Sequence, residues 1–301
     1  MKPVAGWMNS ERSTEAYRAG IAAPAGRILV VIPVHGEHAM THALLDDLGC
    51  EPEPLDVTVV DNRGDYAQRT DETVLRPEEN LGWAGGTNHG TAETLTSDHM
   101  AVVWLNNDAR LARGFIAGLV RCWRDTGAGL VGPSYDCYWN HQRVRHPVDV
   151  GAYRPKARHF TAPFVDGTCM FVPASTLDAL GMLDSETFAP VGYGADLDYG
   201  LRVRSAGAAV IVTRLSYLHH EKSVTARSMY GDGLADYGTR GDSVMAAGLA
   251  RKWGDDWRRL AEIDPTTKQT PPPSWRRRAC LGPLRGFNPP SASRPRSRLS
   301  D

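Results

Sequence analysis

Apolar and polar positions change their spacing along the chain in a regular order. Residues 28–34, Ile-Leu-Val-Val-Ile-Pro-Val, form a continuous apolar, largely β-branched run. That is the pattern of a strand covered on both faces in a parallel sheet. A helix is predicted at 38–48, with Met40, Ala43, Leu44 and Leu48 on one side, followed by a strand at 55–60 that stops at Asp61-Asn62. This is a βαβ unit, with the right-handed crossover such units require. A short strand at 73–75, a helix at 84–95 behind a glycine-rich turn, and a buried strand at 100–105 halted by Asn106-Asn107-Asp108 come next. The pattern predicts a helix at 113–125 and a strand at 129–133, then weakens from 134 to 163. Strands are predicted again at 164–172 and 209–213, and helices at 175–181 and 196–206. A last helix at 241–261 repeats Met245, Leu249, Trp253, Trp257 and Leu260 every three or four residues. The alternation predicts the α/β class, with a Rossmann-like, mostly parallel central sheet flanked by helices.

Composition narrows the function classes. At 301 residues, 42% hydrophobic and 23% charged, the chain can bury a full core and is not disordered as a whole. Its longest apolar run is far shorter than a bilayer span, and Pro3, Asn9, Ser10, Glu11 and Arg12 interrupt the start, so no signal peptide is expected. The formal net charge is −1, but residues 271–301 hold seven Arg against Asp301, leaving 27 basic and 34 acidic residues elsewhere. An acidic body argues against a nucleic-acid partner. The five cysteines include no C-x-x-C pair, which fits a reducing cytoplasm rather than a disulfide scaffold. Four segments are expected: a lead-in at 1–26, a ligand-holding half at 27–133, a second half at 134–263 with the last helix, and a disordered Pro/Arg-rich tail at 264–301. A peripheral contact between Trp275-Arg276-Arg277-Arg278 and an anionic membrane is open, with a solvated extension the favoured alternative.

Ligands of such sheets bind beyond the carboxyl ends of the strands. Here those ends read His35-Gly36-Glu37, Asp61-Asn62 and Asn106-Asn107-Asp108. One acidic strand end is commonly a turn or cap, whereas three in one sheet converge on a crevice. The segment Asn80-Leu81-Gly82-Trp83-Ala84-Gly85-Gly86-Thr87-Asn88-His89-Gly90 lacks dinucleotide-fingerprint spacing and follows the third strand, not the first. It allows close backbone approach to a ligand, or tight packing of a helix on the sheet.

These residues carry a resemblance. Asn80 to Gly90, followed by Trp104-Leu105-Asn106-Asn107-Asp108, resembles the rhamnosyltransferase-like branch of glycosyltransferase family 2. Ile32-Pro33-Val34 with Glu37, Val59-Val60-Asp61-Asn62, Asp166-Gly167-Thr168-Cys169-Met170-Phe171 and Tyr193-Gly194-Ala195-Asp196-Leu197-Asp198 with Arg202 agree in order. The resemblance covers about residues 27–225 and implies a GT-A fold with a C-terminal acceptor-side elaboration. The implied activity is inverting transfer from a nucleotide-diphospho sugar, dTDP-rhamnose or a UDP-hexose, to an unidentified glycan, lipid-linked or small-molecule acceptor.

By the same resemblance Pro33, His35 and Glu37 flank the nucleotide and Asp61 contacts the base. Asn80, Gly82, Trp83, Gly85, Asn88, Asn106 and Asn107 belong to the donor side. Asp108, an oxygen donor at a strand end, suits Mg²⁺ or Mn²⁺, which would offset the diphosphate charge. A histidine of the His219-His220 pair would complete the metal shell; adjacent residues of an extended chain point oppositely, and His219 is slightly preferred. Asp196 is the candidate base for the acceptor hydroxyl. Ala195 stands where the family has a first acid. Asp198 is the competing acid, and its i,i+4 spacing to Arg202 equally suits a structural ion pair. Asp166 lines the acceptor site or forms an Asp-Gly turn. Trp7, Tyr138 and Trp139 could stack on a sugar, or serve the core. A non-catalytic sugar-nucleotide-binding protein remains an alternative. A sugar-1-phosphate nucleotidyltransferase matches less well, because His35-Gly36-Glu37-His38 lacks the basic glycine-rich loop.

Overall fold

Strand β1 (Arg27–Val34) is buried from Ile28 onward, and its side chains divide between two layers. Ile28, Val30 and Ile32 enter one core layer and Leu29 and Val31 the other. This division is what the unbroken apolar run requires. The computed structural model describes residues 26–263, apart from Cys137, Lys222 and Ser223 and the side chains of Thr225 and Ala226. Trp7, the lead-in at 1–25, Cys137, Cys280 and the tail at 264–301, with its Trp-Arg cluster, lie outside the described residues.

Strand β1 pairs in parallel with β2 (Leu55–Asp61), and β2 with β3 (Thr73–Leu75). On its other side β1 pairs in parallel with β4 (His99–Leu105). The sheet then continues through β8 (Cys169–Pro173), β6 (Leu130–Tyr135), β9 (Val210–His220) and β5 (Ala109–Leu111), in the order β3-β2-β1-β4-β8-β6-β9-β5. A short β7 (His159–Thr161) also pairs with β9. Antiparallel pairing is confined to β8 with β4 and β6, and to β9 with β5 and β7. Because β4 pairs with β8, the sheet runs across residue 133 without a break.

Helix α1 (His38–Leu48) follows β1, and α2 (Gly82–Thr94) follows β3. The glycines of α2 set its distance from the sheet. A Cβ on Gly90 would stand 2.5 Å from Val31 Cγ1 and 2.8 Å from Val60 Cγ2, so the packing reading of this segment holds. Helix α3 (Phe115–Thr126) starts behind Gly114 at φ 72°, two residues later than its pattern predicts. Helices α4 (Ala174–Leu180) and α5 (Ala195–Ser205) flank the second half.

Several expectations need correction. Strand β9 extends to His220 instead of stopping near 213, because its polar positions find partners in neighbouring elements: Ser216 Oγ donates to Phe115 O, at the start of α3, at 2.7 Å. The strand expected at 164–172 forms only at Cys169–Pro173, because Asp166-Gly167-Thr168 fold into a turn in which Thr168 N–H donates to Asp166 Oδ1 at 2.9 Å. A short helix α6 (Val224–Tyr230) precedes the last helix. The last helix α7 (Leu234–Trp253) starts earlier than predicted and ends at Gly254, with φ 77°; Trp257 and Leu260 belong to a separate turn, α8 (Trp257–Leu260).

Candidate active site

The carboxyl ends of β1, β2 and β4 open on one side of the sheet, and the donor-side motif residues there are mostly tied to backbone. Asp61 is fully buried. Its Oδ1 accepts N–H groups of Arg63 at 3.2 Å and Gly64 at 2.8 Å, and its Oδ2 accepts that of Tyr66 at 2.8 Å. Arg76 Nε lies 3.5 Å from the same carboxylate. This geometry corrects the expected base contact: Asp61 shapes the loop after β2 and presents no open face to a ligand. Asn88 is likewise reassigned, since its amide donates to Leu183 O at 2.8 Å and accepts Leu183 N–H at 3.1 Å. Pro33 is buried, with its Cβ 3.3 Å from where a side chain on Gly86 would begin, and Gly85 faces Leu81. Asn62 and Asn80 hold the turn before α2, with Asn62 Oδ1 accepting Leu81 N–H at 3.0 Å and Asn80 Oδ1 accepting Gly82 N–H at 2.9 Å. His35 Nδ1 lies 3.4 Å from Asn80 Nδ2. Glu37 follows at φ 53°, ahead of α1.

Next to this frame, the end of β4 meets the end of β9 and the loop before β8. Asp108 and His220 are both buried, with Asp108 Oδ1 3.0 Å from His220 Nε2. Burial pushes the Asp108 carboxyl up, but the charge and hydrogen bond of His220 outweigh it and hold it below the ordinary range. His220 Nδ1 lies 3.3 Å from Thr168 Oγ1, and that hydroxyl donates in turn to Asp166 Oδ1. Thr168 donates to Asp166 and so accepts from Nδ1 of His220, which leaves Nε2 directed at the Asp108 carboxylate, where the ring's second proton forms the ion pair. A divalent cation bound here would take the place of that proton. Asn106 Oδ1, at the head of the same turn, is buried and has no hydrogen-bond partner among the described residues. Asn107 is occupied elsewhere, donating to Thr41 Oγ1 at 3.2 Å.

These donors fit a divalent ion. Two cis ligands of an octahedral Mg²⁺ at about 2.1 Å stand about 3 Å apart, which is the separation of Asp108 Oδ1 and His220 Nε2. Among the described residues no group of three or more His, Cys, Asp or Glu is arranged to hold a metal, so ligand oxygens would have to complete the shell. The preference for His219 is corrected. Its Nδ1 is bonded to Asp136 and its Nε2 lies 3.2 Å from Glu221 Oε1. These two hydrogen bonds raise it to about 9, and both of its ring nitrogens are already engaged by carboxylates.

Asp196 heads α5 on the other side of the same loop. Gly167 N–H donates to its Oδ2 at 2.9 Å, and Leu197 N–H to its Oδ1 at 2.9 Å. Burial first, and then the charge of Asp166, raise its carboxyl to about 7. The Asp166-Gly167-Thr168 turn therefore touches the Asp108–His220 pair through Thr168 and Asp196 through Gly167. Asp166 serves both turn and electrostatics: its N–H donates to Gln142 Oε1 at 3.0 Å and its Oδ2 lies 3.5 Å from the Tyr135 hydroxyl. Trp83 closes the turn from the donor side. A Cβ on Gly167 would come within 2.7 Å of its indole, and Trp83 Nε1 is buried with no hydrogen-bond partner among the described residues.

Asp198 belongs to the packing. It is fully buried and bonded to Arg202 Nε at 3.0 Å, Lys252 Nζ at 2.9 Å and Trp253 Nε1 at 2.9 Å, so it is corrected from candidate base to the ionic tie between α5 and α7. Ala195 is buried in the second core layer; a carboxylate at this position would enter the core of this chain. Trp139 packs edge-on against Phe164, with centroids 4.9 Å apart, while Tyr138 is 45% exposed. Sequence reasoning assigned no role to Thr168, Gln142 or Tyr135. Thr168 lay inside a quoted motif, but its contact with His220 joins residues 52 apart.

No family model matches the chain. It is 37% identical over 232 residues to the uncharacterized proteins Rv1525 of Mycobacterium tuberculosis and Mb1552 of Mycobacterium bovis, covering 77% of this chain and 87% of each relative. A crystal structure of GalNAc-T7 with UDP, GalNAc and Mn²⁺ superposes with a TM-score of 0.52 at 12% identity, over 79% of this chain. The match takes in 55% of that structure, so the chain spans about half its length. A mannosyltransferase from Pyrobaculum calidifontis in complex with GDP-Man and Mn²⁺ aligns over 84% of this chain at 15% identity, with a TM-score of 0.49. The fold is that of the GT-A glycosyltransferases. No described helix is long and apolar enough to cross a membrane.

Proposed function

This chain belongs to the family of the mycobacterial proteins Rv1525 and Mb1552, and from that premise and the site geometry we propose that it is a metal-dependent, inverting glycosyltransferase. The donor is a nucleotide-diphospho sugar, with dTDP- and UDP-sugars favoured, as the resemblance to the rhamnosyltransferase-like branch suggests. The acceptor is a hydroxyl of a glycan, a lipid-linked saccharide or a small molecule. One observation carries the reading: a single turn, Asp166-Gly167-Thr168, contacts both the Asp108–His220 pair and Asp196. Mg²⁺ or Mn²⁺ would be held by Asp108, His220 and Asn106 Oδ1, and would neutralise charge developing on the leaving diphosphate.

The chain's own groups supply the rest. Thr168 fixes the ring of His220 through Nδ1, so that Nε2 faces Asp108. Asp196 accepts the proton of the attacking hydroxyl, and the N–H of Gly167 orients its Oδ2. A carboxyl raised to about 7 can take that proton near neutral pH, which an ordinary aspartate does poorly. Trp83, lying on Gly167, excludes water from the turn.

The test is turnover of a panel of UDP-, dTDP-, GDP- and CDP-sugars with Mn²⁺, for the natural chain and for Asp108→Ala. Release of one nucleoside diphosphate, lost in the variant and in excess EDTA, is expected. Tight nucleotide binding without turnover of any donor would favour the non-catalytic sugar-nucleotide-binding reading instead.

A further inference from the structure

Three of the five exposed large hydrophobic side chains among the described residues are Tyr193, Met229 and Tyr230, and the two tyrosines meet at one place. Tyr230 ends α6 and Tyr237 lies in the first turns of α7; their rings stack with centroids 4.4 Å apart and 21° between planes. Tyr193, on the turn just before Asp196, meets Tyr237 edge-on at 5.9 Å. Its ring is pressed against Gly241 of α7, where an added Cβ would stand 2.3 Å from a ring carbon. Tyr193 nevertheless stays 37% exposed, and Tyr230 42%. The result is an aromatic surface left partly open to solvent.

We infer that Tyr193, Tyr230 and Tyr237 form a binding platform for a pyranose ring of the acceptor. Two placements select this occupant. The α6 arm begins four residues after His220, and its Tyr230 stacks on Tyr237, which meets Tyr193, three residues before Asp196. The charges of Asp166 and Asp196 reach the Tyr193 phenol, which sets the platform beside the carboxylate that would receive the acceptor proton. The surface chemistry agrees with a sugar. Ring faces attract the C–H face of a pyranose, and phenol rims bond its hydroxyls. An alkyl chain would find little beyond Met229. Burial, with the charges of Asp242, Asp166 and Asp196, raises the Tyr193 phenol, and burial raises that of Tyr237 to about 12. Both stay neutral donors at working pH. The choice of ligand rests on the transferase reading; the aromatic cluster does not.

The test is saturation-transfer NMR on the full chain with UDP and Mn²⁺, using methyl glycosides of D-glucose, D-galactose, D-mannose and L-rhamnose and octyl β-D-glucopyranoside at millimolar concentration. Ring-proton saturation of at least one pyranoside is expected, falling at least fivefold in Y230A/Y237A and kept in Y230F/Y237F. Calorimetry of UDP, dTDP, GDP and CDP with Mn²⁺ on the same samples reports the donor site separately, and the NMR is repeated with whichever nucleotide binds. Ring saturation without binding of any of the four would leave the platform standing and overturn the transferase reading. Nucleotide binding with no ring saturation, saturation of the octyl chain alone, or equal saturation in Y230A/Y237A would overturn the platform.

Discussion

On the donor side, Asp61, Asn62, Asn80 and Asn88 each close hydrogen bonds inside the protein. Around the Asp166-Gly167-Thr168 turn, polar groups are left short: among the described residues Asn106 Oδ1 and Trp83 Nε1 lack hydrogen-bond partners, and Asp196 is raised to about 7. Both regions carry motif strings, yet they are built differently. The first uses its polar residues to hold backbone in place, and its glycines to bring α2 onto the sheet. The second keeps acceptors and a donor under-satisfied, which costs stability and is the usual mark of a site awaiting a ligand. A recognisable motif thus marks architecture as often as chemistry; Thr87 Oγ1 in α2 also has no hydrogen-bond partner among the described residues, so it is the raised Asp196 together with the Asp108–His220 pair that singles out the second region.

The contrast breaks most sharply at Asp196. Asp196→Asn is expected to lower transfer by about 10³-fold while leaving nucleotide affinity in place, because general-base contributions run to about 10²–10⁴. The natural chain should gain activity as pH rises through about 7, since the raised carboxyl is protonated and useless as a base below that value. A flat profile from pH 6 to 8 would remove Asp196 from that role. Asp198→Ala should act on the fold: it leaves Arg202 and Lys252 facing an empty buried site. A loss of about 3–5 kcal/mol in denaturant unfolding is expected. Asp198 would return to the candidate bases if the variant unfolded like the natural chain but lost turnover.

Thr168→Val tests the link between the regions. It removes the oxygen that meets His220 Nδ1, and such outer partners are worth about 10–100-fold in metal affinity. Thr168→Ser should restore it, and Mn²⁺ titration of both reads the difference. The smallest effect belongs to the donor frame: Gly90→Ala forces α2 off Val31 and Val60, costing about 1–3 kcal/mol by overpacking. It should lower the thermal midpoint with little change in the turnover of the folded enzyme.

Much of the frame was legible in the sequence because strands covered on both faces show as unbroken apolar runs, as β1 and β4 do. Strands β5 (Ala-Arg-Leu) and β7 (His-Phe-Thr) are short and interrupted by polar residues, and they are strands only through their pairing with β9. The continuation of β9 was hidden by Thr213, Arg214 and Ser216, polar residues whose partners come from distant segments. Asp198 shows the same limit within the site. Its bond to Arg202 is local and was visible as an i,i+4 spacing, whereas Lys252 and Trp253 reach it from 54 and 55 residues away. Asp108 and Asp196 could be named from strand ends and resemblance, but the choice between His219 and His220 depended on the register that sets His220 opposite Ala109.

The account turns on the Asp108–His220 pair, and calorimetric titration of UDP and dTDP with and without Mn²⁺ tests it most directly when His220→Gln is compared with His219→Gln. The expected result is Mn²⁺-dependent binding of one nucleotide that is lost in His220→Gln and kept in His219→Gln. Binding indifferent to Mn²⁺, or lost in His219→Gln alone, would contradict it.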